Sequence, residues 1–123
     1  MASPSTHLYS RLLLTGAAGG LGKVLRPRLK KRCDVLRVSD LGNLGDAAAG
    51  EEVMTAPLQD RPAVHKLLEG VDAVVHLAAA VSGECEANLD LGLQSNLQTS
   101  LNLLQAARQQ AQQPVFVFAS SVA

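Results

Sequence analysis

Hydrophobic positions along the chain gather in five short runs, and between the runs they recur every three or four residues. The runs lie at residues 11–15, 34–39, 52–56, 71–79 and 115–119, the third weak and the fourth the clearest. Continuous apolar runs of this length predict strands buried on both faces. Leu21, Val24, Leu25 and Leu29 predict a helix from Leu21 to about Lys31, which Pro27 should kink or shorten. A second helix opens at Asp60 or Arg61 with Pro62 in its first turn, turns Val64, Leu67 and Leu68 inward, and ends at Gly70. Leu89, Leu93, Leu97, Leu101 and Leu104 predict a long helix over 88–111 with this leucine stripe as its apolar face, and Pro114 marks the break after it.

Strands alternating with helices predict an α/β fold, a Rossmann-type parallel sheet of about five strands in the order 3-2-1-4-5 with helices on both faces. Residues 1–10, rich in Ser, Pro and Thr, read as a flexible leader, and residues 11–123 as one domain.

Composition narrows the function classes. The chain is 47% hydrophobic, enough for a core, but its aromatics are Tyr9, Phe116 and Phe118, so Leu, Val and Ala must fill that core. Eleven basic residues balance 11 acidic ones, which argues against non-specific nucleic-acid binding. Cys33 and Cys85 stand 52 positions apart and form no metal or redox motif. The opening Met1–His7 has no apolar signal core, and no run is long enough to span a bilayer, so a cytoplasmic protein without a membrane partner is expected.

The candidate chemistry sits where the first strand meets its helix. Gly16, Gly19 and Gly22 give the spacing GxxGxxG. In a dinucleotide-binding turn the first glycine permits the tight turn, the second lets a pyrophosphate approach the backbone, and the third lets the helix pack closely. Gly20 and Leu21 complete the loop at a helix start, whose N–H groups and dipole attract phosphate. Asp40 follows 24 positions after Gly16, at the end of the second strand. An acid there accepts hydrogen bonds from the adenosine ribose and repels a 2′-phosphate, so NAD is favoured over NADP. The competing reading makes Asp40 a turn residue before Leu41-Gly42. The small residues Ala78 and Ala79 end the fourth strand, where they either let backbone approach a cofactor or simply pack. His76, inside that apolar strand, reads as a satisfied core histidine, and Asn96 as a structural bridge. Ser82 lies in the following loop, and Ser120 and Ser121 end the fifth strand, on the side where doubly wound sheets bind ligands.

Thr15-Gly-Ala-Ala-Gly-Gly-Leu-Gly22, Asp40, His76-Leu-Ala-Ala79, Asn96 and Phe118-Ala-Ser-Ser121 together resemble the extended short-chain dehydrogenase/reductase superfamily, in its NAD-dependent epimerase/dehydratase group. Residues 11–76 resemble the uronate dehydrogenases, and residues 77–123, with Val81-Ser-Gly-Glu84 and Ser120-Ser-Val-Ala123, the D-erythronate dehydrogenases. The resemblance implies NAD as cofactor and a small-molecule sugar acid as substrate. It implies that the glycine loop lines the pyrophosphate, Asp40 the ribose, and Ala78 and Ala79 the cofactor's flank. Ser121 then matches the catalytic serine, and Ser82 a substrate contact.

Two departures stand out. The family's Asp-Leu pair after the third strand, whose acid reaches the adenine, reads Pro57-Leu58 here, which leaves that contact to Asp60 or the Leu58 backbone. The family's proton transfer uses a Tyr-x-x-x-Lys pair beyond the serine, the lysine lowering the tyrosine's pKa. The single tyrosine of these 123 residues, Tyr9, has Leu13 four positions on. The chain therefore reads as the N-terminal, NAD-binding half of a sugar-acid dehydrogenase, truncated before the substrate-binding half and inactive alone. The alternatives are a non-catalytic nucleotide-binding or regulatory module, or one chain of a split enzyme. An apolar fifth strand at a sheet edge predicts homodimerisation or pairing through that strand, and marginal stability.

Overall fold

The computed structural model describes residues 7–77 and 93–119. Five parallel strands form one sheet: β1 (Tyr9–Thr15), β2 (Cys33–Ser39), β3 (Glu51–Val53), β4 (Ala73–His76) and β5 (Val115–Phe118). Their order is β3-β2-β1-β4-β5, as the sequence predicts. The connecting helices are α1 (Gly20–Leu29), continued by a 3-10 turn at Lys30–Arg32, then α2 (Arg61–Leu68) and α3 (Thr99–Arg108), which a π-helical stretch at Leu93–Gln98 precedes. No helix among the described residues is long and apolar enough to cross a membrane.

Alternation along the strands divides the core into two layers. Leu12, Leu14, Leu36, Val38 and Ala73 pack with Ala17 and Cys33 on the α1 face, where Leu29 half-covers them. Leu13 and Val74 meet Val64, Leu67 and Leu68 of α2 and Leu103, Ala106 and Ala107 of α3 on the other. Register aligns the carboxyl ends: Thr15 stands beside Ser39 and His76, and His76 beside Phe118. All five strands therefore deliver their following loops to one edge. β5 closes the described sheet, with Val115, Val117 and Phe118 about half exposed.

Two helix faces differ from the pattern-based expectation. Over its described side chains the leucine stripe of the long helix does not face the core, and residues 88–92 of that predicted helix lie outside the described residues. Leu97, Leu101 and Leu104 are 54%, 44% and 47% exposed, while Thr99, Asn102, Leu103, Ala106 and Ala107 are buried. These buried positions keep helical spacing too: Leu103 fills the core between α2 and the sheet, and the small Ala106 and Ala107 pack beside it. On α1, Leu21 and Val24 are more than half exposed, and the face toward the sheet is Gly22, Leu25, Arg26 and Leu29. Close backbone contact at Gly22 rotates that helix by about one position from the predicted register. Pro27 does not break the helix, since α1 runs on to Leu29 before tightening to the 3-10 turn.

Candidate functional site

The loop between β1 and α1 is shaped by two of its glycines. Gly16 adopts φ +69°, open to glycine and strained for other residues. Gly22 faces a sharper demand: a Cβ there would lie 2.3 Å from the Gly16 carbonyl oxygen and 2.7 Å from the Ala17 Cα. Gly22→Ala is thus expected to cost about 3 kcal/mol or more of folding stability, read as a lowered urea midpoint. Gly19 and Gly20 are different. A Cβ at Gly19 would make ordinary contact at 3.4 Å, and one at Gly20 would meet nothing within 4 Å. The protein's own packing does not require glycine at either position. They leave open space in front of a helix start whose capping residue, Gly19, supplies no side-chain hydrogen bond.

Asp40 lies one residue beyond β2, and the structure brings it to this loop. Its Oδ2 accepts the Ala18 N–H at 2.9 Å and its Oδ1 accepts the Gly42 N–H at 2.9 Å. The turn role and the loop role are held by one carboxylate. Each oxygen has further acceptor capacity, since an ionised carboxylate offers about four lone-pair sites. The Ala17 N–H also donates to the Ser39 carbonyl, at 3.2 Å, so the glycine loop and the end of β2 are stitched by main chain as well.

Arg26 fixes the segment after Asp40. Its Nε and Nη2 donate to the two carboxylate oxygens of Glu51, both at 2.9 Å, and its Nη1 to the Leu44 carbonyl at 2.7 Å. The Glu51 side chain is 4% exposed, and the Arg26 hydrogen bonds hold its carboxyl down to about 2 against the cost of burial. This clamp ties α1 to the start of β3 and pins the 40–50 loop between them. Sequence reasoning missed it because nothing local to either residue announces a partner 25 positions away.

His76 is buried and fully partnered at the carboxyl end of β4. Its Nδ1 lies 2.6 Å from Thr15 Oγ1 and its Nε2 3.3 Å from Ser100 Oγ. Ser100 Oγ also donates to the Asn96 carbonyl at 3.0 Å. Burial pushes the imidazole down to about 4. His76 is therefore the satisfied core histidine that its apolar setting predicts, joining the residue before Gly16 to α3.

Leu58 is half-buried against the α2–α3 core, and its carbonyl accepts the Asn102 Nδ2 at 2.8 Å. Asn102, itself 4% exposed and also held by Gln98, is a buried polar bridge that sequence reasoning overlooked beside Asn96. Asp60, the N-cap residue of α2, is exposed and makes no side-chain cap bond. Tyr9 opens β1 at the amino ends of the strands, a strand's length from the glycine loop. Ala78, Ala79, Ser82, Ser120 and Ser121 lie outside the described residues.

A parallel, doubly wound sheet with a glycine turn at its first β–α junction and an acid at the end of β2 defines a Rossmann-like α/β domain. The model of the NAD dependent epimerase/dehydratase family matches residues 12–123, and the chain belongs to that family. It is 48% identical to a uronate dehydrogenase of Pseudomonas putida over 118 residues, 95% of this chain and 42% of that one. It is 40% identical to a D-erythronate dehydrogenase of Cupriavidus necator, over 91% of this chain and 39% of that one. The crystal structure of uronate dehydrogenase from Agrobacterium tumefaciens superposes with a TM-score of 0.85 at 42% identity, covering 92% of this chain and 41% of that one. A mutant of that enzyme has been solved complexed with NAD. The chain thus spans about two fifths of the length of these relatives.

Proposed function

We propose that these residues form the NAD-binding portion of a sugar-acid dehydrogenase, which oxidises a uronate- or erythronate-type hydroxyl by hydride transfer to NAD. The observation that carries this reading is the Asp40–Ala18 hydrogen bond, which sets the acid against the glycine loop. The residues present fit the cofactor: open space at Gly19 and Gly20, an uncapped helix start, and a carboxylate with spare acceptor sites beside them. In this reading Gly16, Gly19, Gly20, Leu21 and Gly22 cradle the pyrophosphate, and Asp40 binds the adenosine ribose. The Leu58 segment, held by Asn102, borders the adenine, and Ala78 and Ala79 flank the cofactor. Ser82 would contact the sugar acid, and Ser121 would polarise the reacting carbon–oxygen bond. When bound, NAD supplies the hydride acceptor. No Tyr-x-x-x-Lys pair lies within the 123 residues, so alone they are expected to bind cofactor without turnover.

Calorimetric titration with NAD tests the reading. Binding is expected for the unmodified chain, and Gly19→Ala should lose it while keeping the urea midpoint, because only the cofactor competes for that space. No heat at millimolar NAD would sink the proposal.

The same reading includes self-association. Leu97, Leu101 and Leu104 present an apolar stripe along one side of the helical segment, and β5 a half-exposed edge. A homodimer that buries the stripe would be symmetric, each copy offering the same face. Sedimentation should find a dimer that Leu101→Glu converts to monomer. A monomer before substitution refutes this part.

A further inference from the structure

We propose that the amino-terminal end of the sheet carries a second anion site, formed by Arg28, Lys31 and Arg32, that takes a compact polyphosphate group, free or borne on a nucleoside. An open cavity of about 550 Å³ lies there, lined by His7, Leu8, Arg28, Lys31 and Arg32. Its volume is in the range of small-molecule sites. The cavity is remote from the candidate cofactor loop. Its residues precede β1 and β2, whereas Gly16 and Asp40 follow them, and seven-residue strands separate the two ends by about 20 Å.

The charge arrangement distinguishes these three cations from the others in the same stretch. Residues 26–32 read Arg-Pro-Arg-Leu-Lys-Lys-Arg. Arg26 and Lys30 turn toward Glu51, at 2.9 and 4.0 Å. Arg28, Lys31 and Arg32 are exposed, and no ion pair joins them to a described residue. They stand at i, i+3 and i+4, which places them on one side of the helical segment, where like charges repel. The helix carboxyl end favours all five of these cations, Arg26 and Arg28 in the last turn of α1 and Lys30, Lys31 and Arg32 in the 3-10 turn, but Glu51 partners only Arg26 and Lys30 among them. Three unneutralised cations around a concavity favour a multiply charged ligand over a single carboxylate. The zero net charge of the whole chain disfavours an extended polyanion, which needs a basic surface beyond one cavity. The half-exposed ring of His7, held by Asp34 at 2.7 Å, and the exposed Leu8 supply an apolar wall that a nucleoside base would cover.

The test titrates the full chain with tripolyphosphate and with ATP at low ionic strength, by calorimetry and by amide chemical-shift mapping. Saturable binding is expected, with shifts centred on His7, Leu8 and residues 28–32. R28Q and K31Q should each weaken it about tenfold at an unchanged urea midpoint, because both side chains are exposed. Tighter binding of ATP than of tripolyphosphate assigns a nucleotide, and equal binding assigns the phosphate chain alone; both support the site. Absence of binding overturns it. So does binding that survives R28Q and K31Q with shifts confined to Gly16–Gly22, since the phosphate is then on the cofactor loop. An RNA oligomer that displaces tripolyphosphate at equal phosphate concentration also overturns it, in favour of a nucleic-acid surface.

Discussion

Replacing Asp40 with alanine is expected to weaken NAD binding by roughly 30- to 100-fold and to erase the discrimination against NADP. The size follows from two charge-assisted ribose hydrogen bonds, each worth about 1.5 kcal/mol or slightly less after solvent competition. The loss of discrimination follows from charge. A carboxylate beside the ribose repels a 2′-phosphate, and alanine does not. Asp40 also holds the Ala18 and Gly42 N–H groups, so part of the loss comes from a loosened loop. Asp40→Asn separates the two contributions. It keeps the size of the side chain and one carbonyl oxygen for the loop, but removes the negative charge. It should recover part of the NAD affinity while leaving NADP favoured relative to the unmodified chain. Parallel NAD and NADP titrations of the three proteins measure this. An Asp40→Ala variant that binds NAD as tightly as before, and still rejects NADP, would refute the ribose role.

β1, β2 and β4 were legible in the sequence because each is a largely apolar run that the sheet buries, whereas β3, Glu-Glu-Val at the sheet edge, gave only a weak signal. The placement of Gly16 in the turn and of Asp40 beside it was legible because it depends on local order: strand, turn, helix, and acid at the next strand's end. The helix faces were less so. Across α3 and the stretch before it two stripes satisfy helical spacing, one of Leu97, Leu101 and Leu104 and one of Thr99, Asn102, Leu103, Ala106 and Ala107. Hydrophobicity favours the first, but the second is the buried one, with Leu103 in the core, Ala106 and Ala107 packed beside it and Asn102 hydrogen-bonded to the Leu58 carbonyl. The Arg26–Glu51 clamp and the Asn102–Leu58 bridge join residues 25 and 44 positions apart. Periodicity carries no information about partners at that distance, since tertiary pairing depends on how loops return the chain to the sheet. These two contacts nonetheless position the loop after Asp40 and the Leu58 segment, so the support of the candidate site is the part that the sequence concealed.

Acid should destabilise the chain in two separable steps, the first set by the burial of His76 and the second by the Arg26–Glu51 clamp. Burial holds His76 near 4 in the folded protein against an ordinary 6.5. Between these values the unfolded chain takes up a proton that the folded chain refuses, so stability is full above pH 6.5 and falls as pH drops toward 4. The loss is about 2 kcal/mol at pH 5 and about 3 kcal/mol at pH 4. Glu51 works in the next window. Its hydrogen bonds with Arg26 hold it near 2 against an ordinary 4.5, so the clamp's contribution persists above pH 4.5 and is lost on further acidification, another 3 kcal/mol or so. Glu52, held down chiefly by its hydrogen bond with Arg11, adds to the second step. For a domain of ordinary stability, about 5–15 kcal/mol, the combined loss brings unfolding into the range near pH 3. Urea denaturation at pH 7, 5.5, 4 and 3 resolves the steps. His76→Gln should flatten the profile between pH 6.5 and 4 while leaving the lower step intact. Glu51→Gln should do the reverse, and should cost most of its effect already at pH 7, where the wild-type clamp is complete. A wild-type profile that stays level from pH 6.5 to 4.5 would mean that His76 titrates normally, and would contradict its enclosure between Thr15, Ser100 and the β5 aromatics.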